Sequence, residues 1–145
     1  MYIYNVIIRE IIDGDTVKVD IDLGFDMWLL NQNIRLYGID APESRTSDLV
    51  EKKFGLLTKA EVEKYLPIGS KQQMVSVMSQ KGKFGRILGE FLAEGSTPFH
   101  RFNLNRYLVD NKLAAPYDGQ SSRDELKEKH HENRKYLVEN GKIHG

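Results

Sequence analysis

Apolar and polar positions alternate along Thr16 to Leu23, with Val17, Val19, Ile21 and Leu23 on one face and Thr16, Lys18, Asp20 and Asp22 on the other. That two-residue period is the mark of an antiparallel strand buried on one side. Residues 2 to 12, rich in Ile, Val and Tyr, predict a strand before it, and Asp13-Gly14 is a hairpin connection that leaves Asp15 at the start of the second strand. Gly24 to Asp26 makes the next turn. Met27 to Ile39 reads as a third strand with Trp28, Leu30, Ile34 and Leu36 in phase and Arg35 on the opposite face. Gly38 permits a bulge, and Pro42 disfavours a helical Ala41, so this strand runs into a rigid turn.

Residues 44 to 55 are polar and irregular, which makes 44 to 56 the longest expected loop. Thr58-Lys-Ala-Glu61 has the form of a capping box ahead of Val62, Tyr65 and Leu66 at helical spacing, predicting a short helix over 57 to 66. Gln72 to Ser79 and Arg86 to Ala93 read as two further strands joined by a glycine-punctuated turn, Lys81 to Gly85. A second helix is expected over Asn103 to Asn111, then a short apolar connector from Leu113 to Tyr117. Ser122-Arg-Asp-Glu125 opens a third, mostly polar helix with Leu126, His130, Asn133 and Leu137 on one face, ending near Asn140-Gly141. The pattern predicts a mainly β α+β fold, a five-stranded OB-type barrel with three helices packed outside, as a single domain over 1 to 145.

Composition removes several chemistries. The chain has no cysteine, which excludes disulfides, thiolate catalysis and cysteine metal sites. Lys plus Arg equals Asp plus Glu, 21 each, so there is no global basic field and any polyanion binding must be local. The N-terminus passes straight into a strand pattern without a basic leader, and no segment approaches transmembrane length. A cytoplasmic monomer without membrane association is the expectation, although the mature form of a secreted protein would read the same way.

Charged residues cluster at three turns. Asp13-Gly14-Asp15 offers two carboxylates, Asn33 to Glu43 places Arg35, Asp40 and Glu43 at a strand end, and Lys83-Phe84-Gly85-Arg86 adds a basic turn. Taken singly, each is ordinary: Asp-Gly-Asp is more often a turn, an arginine on a strand pairs with a surface acid, and a glutamate after proline is solvated. Together they are the groups that metal-assisted phosphodiester hydrolysis requires: carboxylates for a hard cation, arginines for phosphate, and a spare glutamate as base. Asp13 is expected to hold its turn. Adjacent His130 and His131 point about a hundred degrees apart on a helix and have no second pair at ligand spacing, so they are expected in solvent. The third helix interleaves its lysines with acids and reads as a solvated face.

In order along nearly the whole chain, Ile12-Asp-Gly-Asp-Thr-Val17, Ile34-Arg-Leu-Tyr-Gly-Ile-Asp-Ala-Pro-Glu43, Phe84-Gly-Arg86, Asn103 to Val109 and Leu113 to Ala115 resemble the staphylococcal nuclease family. The resemblance implies an OB-fold, calcium-dependent endonuclease acting on DNA and RNA with little base specificity, a preference for single strands, and 3'-phosphate products. It implies Asp15, Asp40 and the main-chain carbonyl of Ala41 as Ca2+ ligands, Glu43 as general base, and Arg35 and Arg86 on the scissile phosphate. Lys83, Phe84 and Tyr117 would contact substrate. The family often has threonine at Ala41 and usually tyrosine at Phe84, so one hydroxyl is missing at each position. The alternative is a non-catalytic module of the same fold that binds nucleic acid or protein.

Overall fold

The computed structural model describes residues 2–77, 87–95, 100–119 and 121–143. The chain forms β1 (Ile3–Asp13), β2 (Thr16–Gly24), β3 (Met27–Leu36), β4 (Ile39–Asp40), α1 (Leu49–Tyr65), β5 (Lys71–Ser76) and β6 (Ile87–Glu94). It continues with β7 (Arg101–Asn103), α2 (Leu104–Asp110), β8 (Ala115–Pro116) and α3 (Arg123–Glu139). The main sheet runs β3-β2-β1-β5-β6-β7, and β3 also pairs with β6. That extra pairing closes β1, β2, β3, β6 and β5 into a five-stranded barrel, leaving β7 on its rim. Closure is parallel, with Ile34, Arg35 and Leu36 beside Ile87, Leu88 and Gly89, whereas the other pairings in the barrel are antiparallel.

Strand alternation fills the barrel. Val6 and Ile8 from β1, Val17 and Val19 from β2, Ile34 and Leu36 from β3, Met74 from β5 and Phe91 from β6 are all buried. The helices cover the barrel through Phe54 and Val62 of α1, Leu104 and Leu108 of α2, and Leu137 of α3. Burying a side chain such as Phe91 contributes ~1.5–3 kcal/mol relative to leaving it exposed. Among the described residues, no helix is long and apolar enough to cross a membrane.

Three elements depart from the sequence reading. First, α1 begins eight residues before the expected 57, because Asp48 caps it by accepting the N–H groups of Val50 and Glu51. Thr58 is therefore no cap: its buried hydroxyl donates to the carbonyls of Phe54 and Leu113, at 3.2 and 2.6 Å. Most of the anticipated 44 to 56 loop is helix.

Second, Trp28 and Leu30 are exposed at 40% and 57% rather than in phase with Ile34 and Leu36. Asn31 takes a left-handed φ of 55° and interrupts the β2–β3 register between Val19 and Ile21. The Asp20 carboxylate stabilises this bulge by accepting the Asn31 N–H at 2.8 Å. Third, the long third strand ends at Leu36, and Gly38, at φ 83°, turns the chain into β4.

The expected Lys81 to Gly85 turn lies outside the described residues. So do Lys83, Phe84 and Arg86.

Candidate functional site

The β1–β2 connection places Gly14 and Asp15 between the paired residues Asp13 and Thr16, so Asp15 sits in the turn itself. Asp13 does hold that turn. Its Oδ1 accepts the N–H of Gly14 at 3.2 Å and the N–H of Ser44 at 3.1 Å, tying the segment after Pro42 to the hairpin. The carboxylate of Asp15 accepts the Ala41 N–H at 2.9 Å through Oδ2 and the Thr16 hydroxyl at 3.0 Å through Oδ1. Two segments far apart in sequence are thus joined through their acids.

Arg35 stands opposite Thr16 in the β2–β3 register, which carries its side chain to the same place. Its Nη1 is ion-paired with Asp15 Oδ2, and its Nη2 lies 3.2 Å from Asp40 Oδ1 and donates to the Ile39 carbonyl at 3.1 Å. Nη1 also reaches the Asp15 carbonyl at 3.4 Å. Burial works against the guanidinium charge, but the two aspartates outweigh it and hold the Arg35 pKa above its ordinary value. One cation therefore gathers two carboxylates that would otherwise repel. The four Nη–H groups of Arg35 face protein acceptors, and among the described residues its Nε–H is the spare donor.

Asp40 is carried by β4, which pairs with β8 through Asp40 and Ala115. Its second oxygen, Oδ2, lies 2.8 Å from His130 Nε2 on α3. His130 is thus buried, at 9% exposure, against the expectation that it would be in solvent. The reason is visible in the helix: His130 belongs to the same stripe as Leu137, which packs on the core, while His131 points away and is exposed.

Asp13, Asp15, Arg35, Asp40, Ala41 and Glu43 line one open cleft of about 690 Å³ together with Glu51 of α1. Glu43 is exposed on the rim. Two glycines let this arrangement close. A Cβ on Gly14 would meet Thr58 Cγ2 at 2.6 Å, and one on Gly55 would run into the main chain of Glu43. Helix α1 therefore fixes the height of Glu43 by direct backbone contact.

Of the residues expected at the site, Asp15, Arg35, Asp40, Ala41 and Glu43 converge. Tyr117 does not line the cleft; it is half-buried, and its N–H donates to the Gly38 carbonyl at 2.8 Å. The sequence reading missed His130, Glu51 and Gly55. His130 had a usable signal in its place on the apolar stripe of α3; Gly55, inside a segment read as loop, had none.

The donors suit a hard cation. Two carboxylates and a neighbouring main-chain carbonyl are oxygen ligands of the kind Ca2+ takes, and few enough to leave coordination positions for water and substrate. Among the described residues there is no cluster of three or more acidic or histidine side chains arranged as a metal cage. Any ion held here would be bound by this sparse set.

A search of curated proteins finds no match. The family model described as staphylococcal nuclease homologue matches residues 33–139, a span that includes Arg35, Asp40, Ala41, Glu43 and His130. Asp15 lies before the matched span and reaches the cleft through the β2–β3 pairing. With most of its length matched, and with the closed barrel that the match leads one to look for, this chain belongs to the staphylococcal nuclease homologue family.

Proposed function

We propose that the chain is a calcium-dependent nuclease that hydrolyses phosphodiester bonds of DNA and RNA. The observation that carries this reading is the single guanidinium, Arg35, holding Asp15 and Asp40 together in a cleft with Glu43 on its rim. Asp15, Asp40 and the Ala41 carbonyl would hold the ion. Bound there, Ca2+ would supply charge to a phosphoryl oxygen and orient an attacking water.

The protein's own groups do the rest. Glu43, solvent-exposed and fixed by α1, takes the proton of the attacking water. Arg35 offers Nε–H to the phosphate while its other donors keep the aspartates in place, and Arg86 supplies a second guanidinium to the developing charge. Water adds to phosphorus as the bond to the 5' oxygen breaks, and that oxygen takes a proton from solvent, giving a 3'-phosphate and a free 5'-hydroxyl. Lys83, Phe84 and Tyr117 contact the flanking nucleotide, and an unpaired strand is preferred because a base must stack.

The neutral balance of 21 basic and 21 acidic residues favours a second reading, a binding module without catalysis. Incubation of single-stranded DNA with the protein and calcium, with and without chelator, separates the two. Cleavage that needs calcium and falls sharply in Glu43→Gln is the expected result. Binding without calcium-dependent cleavage by the parent would favour the module.

A further inference from the structure

The β2–β3 hairpin projects an apolar tip. Phe25 is 99% exposed, Met27 and Leu30 are each 57% exposed, and Trp28 is 40% exposed. Its turn residues, Phe25 and Asp26, both take positive φ, 54° and 60°, a region that a bulky side chain such as phenylalanine rarely adopts. The hairpin is nevertheless braced at its base, where the Asp20 carboxylate accepts from Arg9 Nε at 2.5 Å and from the Asn31 N–H at 2.8 Å. Sterically disfavoured turn residues on a braced ribbon hold an aromatic ring fully in water. Apolar patches of this kind mark interaction sites. Among the described residues, Asp22 and Asp26 flank the tip with no basic partner.

A matching surface lies elsewhere on the same chain. Between α1 and α3 runs an apolar groove of about 660 Å³ floored by Leu49, Val50, Phe54 and Val138 and edged by three bases, Lys53, Arg134 and Lys135, against one acid, Glu139. The Arg134 guanidinium lies over the Phe54 ring, 5.5 Å from its centre, and its Nε has no hydrogen-bond partner among the described residues. Neither Arg134 nor Lys135 is ion-paired among those residues. An apolar tip flanked by two acids and an apolar groove whose lining carries an excess of bases are complementary in both respects.

We propose that the hairpin tip of one copy docks in the α1–α3 groove of a second copy. The exposure of Phe25 shows that the tip does not fill the groove of its own chain, so the contact is between molecules. It is heterologous, tip to groove: in a docked pair one copy keeps a free groove and the other a free tip, and such contacts build rings or open chains. A lipid surface fits less well, because an anionic membrane would repel Asp22 and Asp26. The tip is small, so association is weak and concentration-dependent. This departs from the monomer expected from sequence, and it does not rest on the nuclease reading.

Sedimentation across a concentration series, with circular dichroism to verify folding, tests it. Phe25→Gly removes the ring and relieves the turn; Leu49→Glu places a charge in the groove at a position 78% exposed. Exposed Asp26→Lys and Lys135→Asp form an independent second pair. The parent's average mass should rise with concentration, and either Phe25→Gly or Leu49→Glu alone should hold the protein at monomer mass. An equimolar mixture of those two should form a species of two chains and nothing larger, because one intact tip meets one intact groove. A parent that stays monomeric throughout, a Leu49→Glu variant that associates like the parent, or a mixture that does not re-associate would each overturn the proposal. Parent binding to phosphatidylcholine vesicles that Phe25→Gly abolishes would overturn it too, by making lipid the occupant.

Discussion

His130 Nε2 lies 2.8 Å from Asp40 Oδ2, so the orientation of a carboxylate on β4 is set from α3, ninety residues further along the chain. With Arg35 on the other oxygen, Asp40 is held from both sides. Groups that orient a ligating carboxylate govern metal affinity, and losing one typically costs 10- to 100-fold, about the range expected here. With Asp40 a calcium ligand as proposed, His130→Ala should weaken calcium binding by roughly that factor in a calorimetric titration, while exposed His131→Ala should leave it unchanged.

Arg35 should not tolerate lysine. A single ammonium cannot reach Asp15, Asp40 and the Ile39 carbonyl together as the guanidinium fork does. Arg35→Lys should lower kcat by roughly 10²- to 10³-fold, as loss of a preorganised donor does elsewhere. It should also lower the denaturant midpoint, since two neighbouring carboxylates lose their shared partner. A kinetic assay alongside urea unfolding checks both.

These relationships divide cleanly into what periodicity can reveal and what it cannot. Alternation along β2 and the run of β3 from Ile34 give the barrel strands, because burial on one face imposes a period on the sequence. Asp15, Arg35 and Asp40 are legible because charges at strand ends need a reason. The parallel closure of β3 on β6 is a pairing across the fold and leaves no local pattern. Trp28 and Leu30 misled because one left-handed residue, Asn31, resets the phase of the strand, and the carboxylate that stabilises it sits on a different strand. The start of helix α1 is hidden in the sequence because Asp48, its cap, lies in a polar stretch that resembles a loop apart from its contacts with Val50 and Glu51.

Gly55 is the test of whether α1 positions Glu43. A methyl group there would strike the main chain of Glu43 and Ser44, which cannot move as a side-chain end would. Gly55→Ala should cost ~1–3 kcal/mol of stability through overpacking, despite alanine being the better helix former. If Glu43 acts as base, kcat should fall further than the loss of folded protein explains. Active-site titration alongside thermal unfolding separates the two effects.

Asp20 makes the hairpin bulge sensitive to acid. The Asn31 N–H is the largest influence on its carboxyl group and lowers the pKa; burial opposes it, and Arg9 adds to the lowering. A carboxyl group whose pKa is lower folded than unfolded stabilises the fold fully above the ordinary carboxylate value of about 3.9. That contribution is lost as pH falls below this value and through the folded pKa, because the unfolded chain takes up the proton first. Asp20→Asn should therefore be less stable than the parent near neutrality, through loss of the charged partner of Arg9, yet lose less stability on acidification below pH about 4. Urea midpoints measured across that range should converge for the two proteins; parallel curves would show that Asp20 does not carry this acid sensitivity.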